Sequence, residues 1–347
     1  MTNIDFLDEL RTISHRVGIN PLLVQGAGGN TSLKNDGLCW VKGSGKWLAD
    51  ALDDDMFVPV RIDGARLRLA AGEADPIGPE LSPLCPPGLR PSIEASLHVL
   101  LPHRCVVHVH CLRTLVWAVR EDGPERLTER LDGLAWAFVP YARPGLPLTA
   151  AVATAIAAAA TPPDVLVLGN HGLIVGADSA AAADALLGEV MRRLDAAPRP
   201  VPAPAEAALA AVGAACGYRL PRHAESHAVA LDPVGSAIAE AGSLYPDHVV
   251  FLGPGFPLFD AGDGLPAAIA GTGGPLAVGV RGQGVLIRDD ATNGAEEMLR
   301  CLSLLACRLI PGSPVRYLSA DDERALVDWD AEKFRSMLDR KSQTLRK

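Results

Sequence analysis

The feature that most constrains this chain is a run of alternating prolines. Pro198, Pro200, Pro202 and Pro204 fall within Ala196–Ala205. Each proline removes a backbone donor and pushes the residue before it toward extended geometry, so neither a helix nor a sheet interior can cross this stretch. The segment reads as a semi-rigid linker, 197–205, between a first domain at 1–196 and a smaller second domain at 206–347. A long Pro-rich surface loop within one domain is the alternative. The total of 347 residues suits two domains of ordinary size.

Charge and hydropathy remove whole classes of function. Lys+Arg 32 against Asp+Glu 41 gives a net charge of −9 with no basic block, which argues against a nucleic-acid partner. Hydrophobic residues at 48% and charged residues at 21% are enough to bury a core. The most apolar stretch, Ala150–Ala160, is flanked by Pro147 and Pro162 and is too short to span a membrane. Asp5, Asp8 and Glu9 break up the first ten residues, which read as an amphipathic helix and not as a signal peptide. A cytoplasmic protein with no membrane partner is expected. Its seven cysteines contain no C-x-x-C pair and are expected to be reduced and buried.

The pattern before the prolines mixes hairpins with helices. Ile4, Leu7, Leu10 and Ile13 have helical spacing within 4–17. Thr31–Lys34 and Leu38–Lys42 read as strands joined by an Asn35-Asp36-Gly37 turn. A helix is predicted over 92–101, a strand over 105–111, a helix over 150–160, a buried strand over 164–169 and a helix over 180–194. After the prolines, helices are predicted at 205–216 and 291–309. Strands are predicted at His248–Leu252, Leu276–Val280 and Gly284–Arg288. The mixture is α/β but not a purely parallel doubly wound sheet.

The sharpest chemical signal is His108-Val109-His110 in an apolar strand. The two-residue period of a strand sends both imidazoles to one face. His171 follows the buried strand in Gly169-Asn170-His171-Gly172. Three histidines with an open fourth position form the ligand set of a catalytic zinc site; for His-x-His alone, an incidental pair on a solvated strand face is the alternative. Glu94 opens the helix that precedes the His-x-His strand, where a carboxylate beside a metal can serve as general acid and base. Two glycine-rich loops, around Gln25–Thr31 and Lys42–Lys46, can cradle an anion with backbone amides, Asn30, Thr31 and the two lysines. The first loop is followed by a hairpin and not a helix, which makes it a poor dinucleotide fingerprint. A pair of ordinary turns is the plainer reading.

Together, Gly28–Ser32, Val41–Gly45, Pro91–Glu94, His108–His110 and Gly169–Gly172 resemble the class II aldolase/adducin family. The resemblance implies a three-layer α-β-α domain with a mostly antiparallel central sheet, beside a smaller C-terminal α/β domain. It implies His108, His110 and His171 as ligands of Zn2+, or of another divalent ion such as Mn2+ or Co2+, and Glu94 as the acid/base. It implies Asn30, Ser44, Gly45 and Ser92 as residues that bind the substrate phosphate; Gly29, Thr31 and Lys42 of the two glycine-rich loops complete the expected substrate-binding set. Ile93 stands where phosphate-binding members carry a second serine. The implied activity is cleavage of a ketose phosphate through a metal-stabilised enediolate, in a homo-oligomer (tetramer or dimer). The same ligand set serves epimerases, dehydratases and decarboxylases of the family, and a non-catalytic adducin-like scaffold is a third reading. Residues 244–250, 296–300 and 329–332 resemble the region after the aldolase domain in bifunctional rhamnulose-1-phosphate aldolase/lactaldehyde dehydrogenases.

Overall fold

A computed structural model describes residues 5–262 and 264–345. Ile4, the first apolar position expected in the N-terminal helix, lies outside them. The chain divides into two compact units. The first runs to Ala118 and resumes over Gly123–Asp195; the second takes Val119–Asp122 and the residues from Ala196 onward.

The first unit is built on seven strands: β1 (Asn30–Asn35), β2 (Leu38–Lys42), β3 (Phe57–Arg61), β4 (Cys105–Val109), β5 (Trp136–Val139), β6 (Val165–Leu168) and β7 (Gly172–Ala177). Their order across the sheet is β3-β2-β1-β4-β7-β6-β5. Only β5 and β6 run parallel; every other neighbouring pair is antiparallel. Asp36 and Gly37 join β1 to β2 with φ of 49° and 74°. Positive φ at both central positions matches a two-residue hairpin turn to the right-handed twist of its strands.

The described helices of this unit are α1 (Asp5–Gly18), α2 (Ile62–Ala70), α3 (Ala95–Leu100), α4 (Leu112–Ala118), α5 (Gly123–Arg130), α6 (Leu146–Ala158) and α7 (Ala180–Arg193). Strand alternation separates the two faces. Thr31 on β1 meets Ser14 of α1, while its neighbours Asn30 and Ser32 meet His98 of α3. On the α3 face, Leu97 and Leu101 pack with Val106, Ile174 and Leu166 and with Leu148 and Val152 of α6. The interior strands β4 and β6 are buried throughout, as their largely apolar runs lead one to expect.

The second unit has a four-stranded sheet in the order β8-β11-β10-β9, formed by β8 (Tyr218–Arg219), β9 (Leu258–Phe259), β10 (Ala277–Val280) and β11 (Gly284–Arg288). Its helices are α8 (Glu206–Cys216), α9 (Ala228–Leu231), α10 (Pro233–Ala241), α11 (Pro246–Leu252), α12 (Leu265–Ala270), α13 (Asn293–Ala306), α14 (Ala320–Val327) and α15 (Asp330–Leu345). The proline segment has no regular structure but is tied down: Arg199 donates to Asp232 and to the Ala306 carbonyl, and its amide to the Cys307 carbonyl.

One strand expectation fails. His248–Leu252 belongs to helix α11, which begins at Pro246 and stops at Gly253, where φ is 92°. Nearly every residue of this short helix is buried, so it carries no polar face, and its apolar run cannot be told from a strand by periodicity. No described helix is long and apolar enough to cross a membrane.

Candidate metal centre

Three segments distant in sequence meet where β1, β4 and β7 lie side by side. The register pairs Asn30 with His108 and His108 with Ile174, so these three share one row and one face. His110 sits just past the end of β4, at the start of the turn into α4. His171 closes the β6–β7 turn. Residue 170 supplies the sharp bend there: Asn170 has φ of 52°, while the flanking glycines keep ordinary φ. Those glycines are needed for close packing instead. A Cβ on Gly172 would come within 2.5 Å of the Val109 carbonyl oxygen and 3.2 Å of His110 Cα.

The three imidazoles form a nearly equilateral triangle with ring centroids 5.0–5.2 Å apart. All three side chains are buried. One ligand atom from each lies within 4.8 Å of the others. His108 Nδ1 donates to the Leu173 carbonyl at 3.1 Å, because a carbonyl can only accept. In the neutral ring this makes Nε2 the ligand atom, the usual way a protein fixes the tautomer of a metal-binding histidine.

Glu94 completes the cluster. Its carboxylate oxygens lie 3.4 Å from His108 Nε2 and 3.5 Å from His171 Nε2. It occupies the N-cap position of α3, yet its side chain does not cap the helix. Ser92 fixes the approach to α3: its amide donates to the Lys42 carbonyl and its hydroxyl accepts from the Glu94 amide. Burial pushes the Glu94 carboxyl up. The imidazoles of His108 and His171, the Asn30 hydrogen bond and His110 outweigh it and hold the pKa at about 2. A buried, ionised carboxylate against three imidazoles is the donor set of a divalent cation such as zinc, and these residues fit one.

The remaining sequence candidates divide. Asn30 and Ser92 are in the cluster: Asn30 Nδ2 donates to Glu94 Oε2 at 2.8 Å and to Ser92 Oγ at 3.2 Å. Gly29 lies against the His108 carbonyl, which a Cβ would meet at 2.8 Å. Ser44 and Gly45 form the turn after β2, held by the Ser44 amide to the Arg90 carbonyl. Thr31 points away, to Ser14 on the opposite face. Lys42 is buried with its ammonium on the Ala27 and Gly28 carbonyls, and these bonds hold the glycine loop. Lys46 pairs with Asp54. Sequence reasoning missed His98, which binds both Asn30 and Ser32. The signal was present in the spacing: His98 follows Glu94 by one helical turn, so both face the same side of α3.

The chain resembles several known proteins over about half of its length. It is 29% identical over 184 residues to a Bacillus subtilis protein named "Uncharacterized oxidoreductase YuxG", covering 48% of this chain and 26% of that one. It thus spans about a quarter of that curated relative's length. The N-terminal class II aldolase domain of a Thermoplasma acidophilum protein is 25% identical, with 54% of this chain and 91% of that one covered and a TM-score of 0.47. YgbL from Klebsiella pneumoniae, described as a putative aldolase/epimerase/decarboxylase, is 21% identical, with 56% and 88% covered and a TM-score of 0.41. Residues 9–195 match the family described as "Class II Aldolase and Adducin N-terminal domain", and the chain belongs to that family.

Proposed function

We propose that the first unit is a metal-dependent lyase that cleaves a ketose phosphate. The observation that carries this reading is the Glu94 carboxylate set within 3.5 Å of two imidazoles of the buried His108–His110–His171 triangle. Zn2+ or another divalent ion held by the three histidines would act as a Lewis acid toward the substrate carbonyl and offset the charge of the enediolate. In the cleavage direction the substrate hydroxyl passes its proton to the ionised Glu94 carboxylate and the adjacent C–C bond breaks. An aldehyde leaves, and the electron pair stays on the enediolate. Glu94 returns a proton to the enediolate carbon, giving the shorter ketose phosphate. One proton leaves and one returns, so the step needs no oxidant or reductant.

For substrate binding, the Ser92 hydroxyl accepts from Asn30 and from the Glu94 amide, and so has its own proton to donate to a phosphate oxygen. The Ser44–Gly45 turn lies beside it in sequence register, through the Gly43–Pro91 bridge. A cytoplasmic homo-oligomer belongs to the same proposal.

The test is zinc analysis of the purified protein, with His110→Ala as control, followed by product NMR on a panel of ketose and sugar-acid phosphates. Stoichiometric zinc in the wild type, and an aldehyde with a ketose phosphate as products, support the reading. A folded wild type that neither binds zinc nor turns over any ketose phosphate refutes it. Epimerised or decarboxylated products would assign the site to another reaction of the superfamily.

A further inference from the structure

His98 is fully buried beneath the site, on the far side of Asn30 from Glu94. Its Nε2 hydrogen-bonds Asn30 Oδ1, and its Nδ1 lies 2.6 Å from Ser32 Oγ. The Asn30 amide in turn donates from Nδ2 to Glu94 Oε2. Chemistry fixes the direction of every link. A carboxylate can only accept, so Asn30 must turn its NH2 toward Glu94 and its carbonyl oxygen toward His98. That oxygen can only accept, so His98 must carry its proton on Nε2. Nδ1 is then the acceptor, and the Ser32 hydroxyl donates to it.

We propose that His98 is a positioning residue for proton transfer: through Asn30 it locks one oxygen of Glu94 and so assigns proton transfer to the other. The proposal rests on the reading of Glu94 as acid/base. Oε2 carries the Asn30 bond, whereas Oε1 accepts no hydrogen bond among the described residues. In enolisation a substrate C–H bond breaks, its electron pair moves into the carbonyl, and the proton passes to Oε1. Without His98 the Asn30 carbonyl oxygen loses its donor, and only the Nδ2 bonds to Glu94 and Ser92 oppose a flip that would turn that oxygen toward the carboxylate. That arrangement repels the charged form and leaves neither oxygen defined. Burial disfavours a charged ring at His98 and lowers its pKa to about 3, in keeping with the neutral tautomer that the chain of hydrogen bonds requires.

Two measurements test this. The first needs no turnover. Imidazole 15N–1H spectra of metal-free protein, assigned by loss of one ring in His98→Gln, should show His98 neutral and protonated on Nε2 from pH 5 to 8. An Nδ1–H tautomer or a cation overturns the proposal. The second is deuterium exchange into dihydroxyacetone phosphate by zinc-loaded enzyme. His98→Phe should slow exchange by about 10–100-fold, with KM within about threefold and zinc stoichiometry unchanged. His98→Gln keeps an N–H for Asn30 and should recover at least about tenfold of the loss. Exchange at the wild-type rate in His98→Phe overturns the proposal. So does joint loss of zinc and exchange that glutamine does not rescue, since that marks a residue needed only for folding. A wild type that exchanges no proton removes the aldolase reading, and the tautomer measurement then decides the hydrogen-bond direction by itself.

Discussion

Gly172→Ala isolates how tightly the histidine triangle is fixed. The added Cβ would sit 2.5 Å from the Val109 carbonyl oxygen, 3.2 Å from His110 Cα and 3.3 Å from the Val109 carbonyl carbon. All three neighbours are backbone of β4 and its end, so no flexible side chain can yield. Restoring ordinary contact requires β4 and β7 to separate by roughly 0.7 Å or more, since oxygen–carbon packing distances start near 3.2 Å. Overpacking of this kind costs about 1–3 kcal/mol of stability. The same movement carries His110 and His108 away from His171. A displacement of that size is several times the roughly 0.2 Å tolerance of a metal–ligand distance. Zinc affinity should therefore fall by about 10–100-fold, as it does when ligand support is lost. Gly169→Ala is the matched control, because its Cβ would meet the Tyr141 amide at 3.0 Å and Phe138 Cζ at 3.1 Å, on the β5 side of the hairpin. It should destabilise the protein with a smaller loss of zinc. Denaturant melts of metal-free protein and chelator competition for zinc separate the two effects. Unchanged zinc affinity in Gly172→Ala, or an equal loss in Gly169→Ala, would refute the reasoning.

Three further outcomes follow from the geometry. Glu94→Gln keeps the hydrogen-bonding shape and removes the proton-carrying oxygen, so proton exchange into the product ketose phosphate should fall by about 10²–10⁴-fold, read by NMR in deuterated buffer. Thr31→Val should cost about 1 kcal/mol in a urea melt through loss of the Ser14 hydrogen bond and leave kcat/KM unchanged; a drop in kcat/KM would return Thr31 to the substrate. Burial holds the His248 ring neutral, with a pKa lowered to about 4 that the hydrogen bond to the Gly255 carbonyl partly offsets. The unfolded ring titrates near 6.5, so its contribution is level above that pH and stability is lost as pH falls from about 6.5 through 4, by up to about 1.4 kcal/mol per pH unit. His248→Gln should flatten that part of the curve in melts between pH 4 and 7, and parallel curves for the two proteins would contradict it.

The histidines were legible because each rests on local rules. His-x-His on an apolar strand needs only the strand period, and a histidine between two glycines after a buried strand marks a strand end. The Asp36-Gly37 hairpin is equally local. What escaped depends on packing between distant segments. Thr31 and Asn30 are adjacent in one motif, but which of them faces the site depends on which face of β1 meets α3. Lys42 looks like a cation for an anionic substrate until its strand is placed beside the loop carbonyls of Ala27 and Gly28, which its ammonium then binds. The spacing places His98 one helical turn after Glu94, but which groups it binds is set only when α3 lies over Asn30. Helix α11 was misread because burial on every side erases the periodicity that separates helix from strand.

The glycines show most clearly how packing changes the meaning of a motif. Read along the chain, Gly28-Gly29 and Gly43-Ser44-Gly45 suggest loops whose amides cradle an anion. In the fold, Gly29 has φ of 60° and a Cβ there would meet the His108 carbonyl at 2.8 Å. A Cβ on Gly43 would meet the carbonyls of Met56 and Arg90 at 3.1 and 3.3 Å. Gly172 presses on Val109 in the same way. Each of these glycines lets one backbone reach another at a distance that a side chain forbids. The contacts they permit join the segments bearing Asn30, Glu94, His108 and His171. Conformational freedom is needed at Gly29 and Gly45, where φ is positive, but Gly43 and Gly172 serve by their small size alone. An anion bound at the Ser44–Gly45 turn would therefore use a loop whose position is already set by the packing that builds the metal centre. Substrate phosphate and metal ligands would then be held in register by the same backbone contacts, and a substitution at Gly43 should disturb both together.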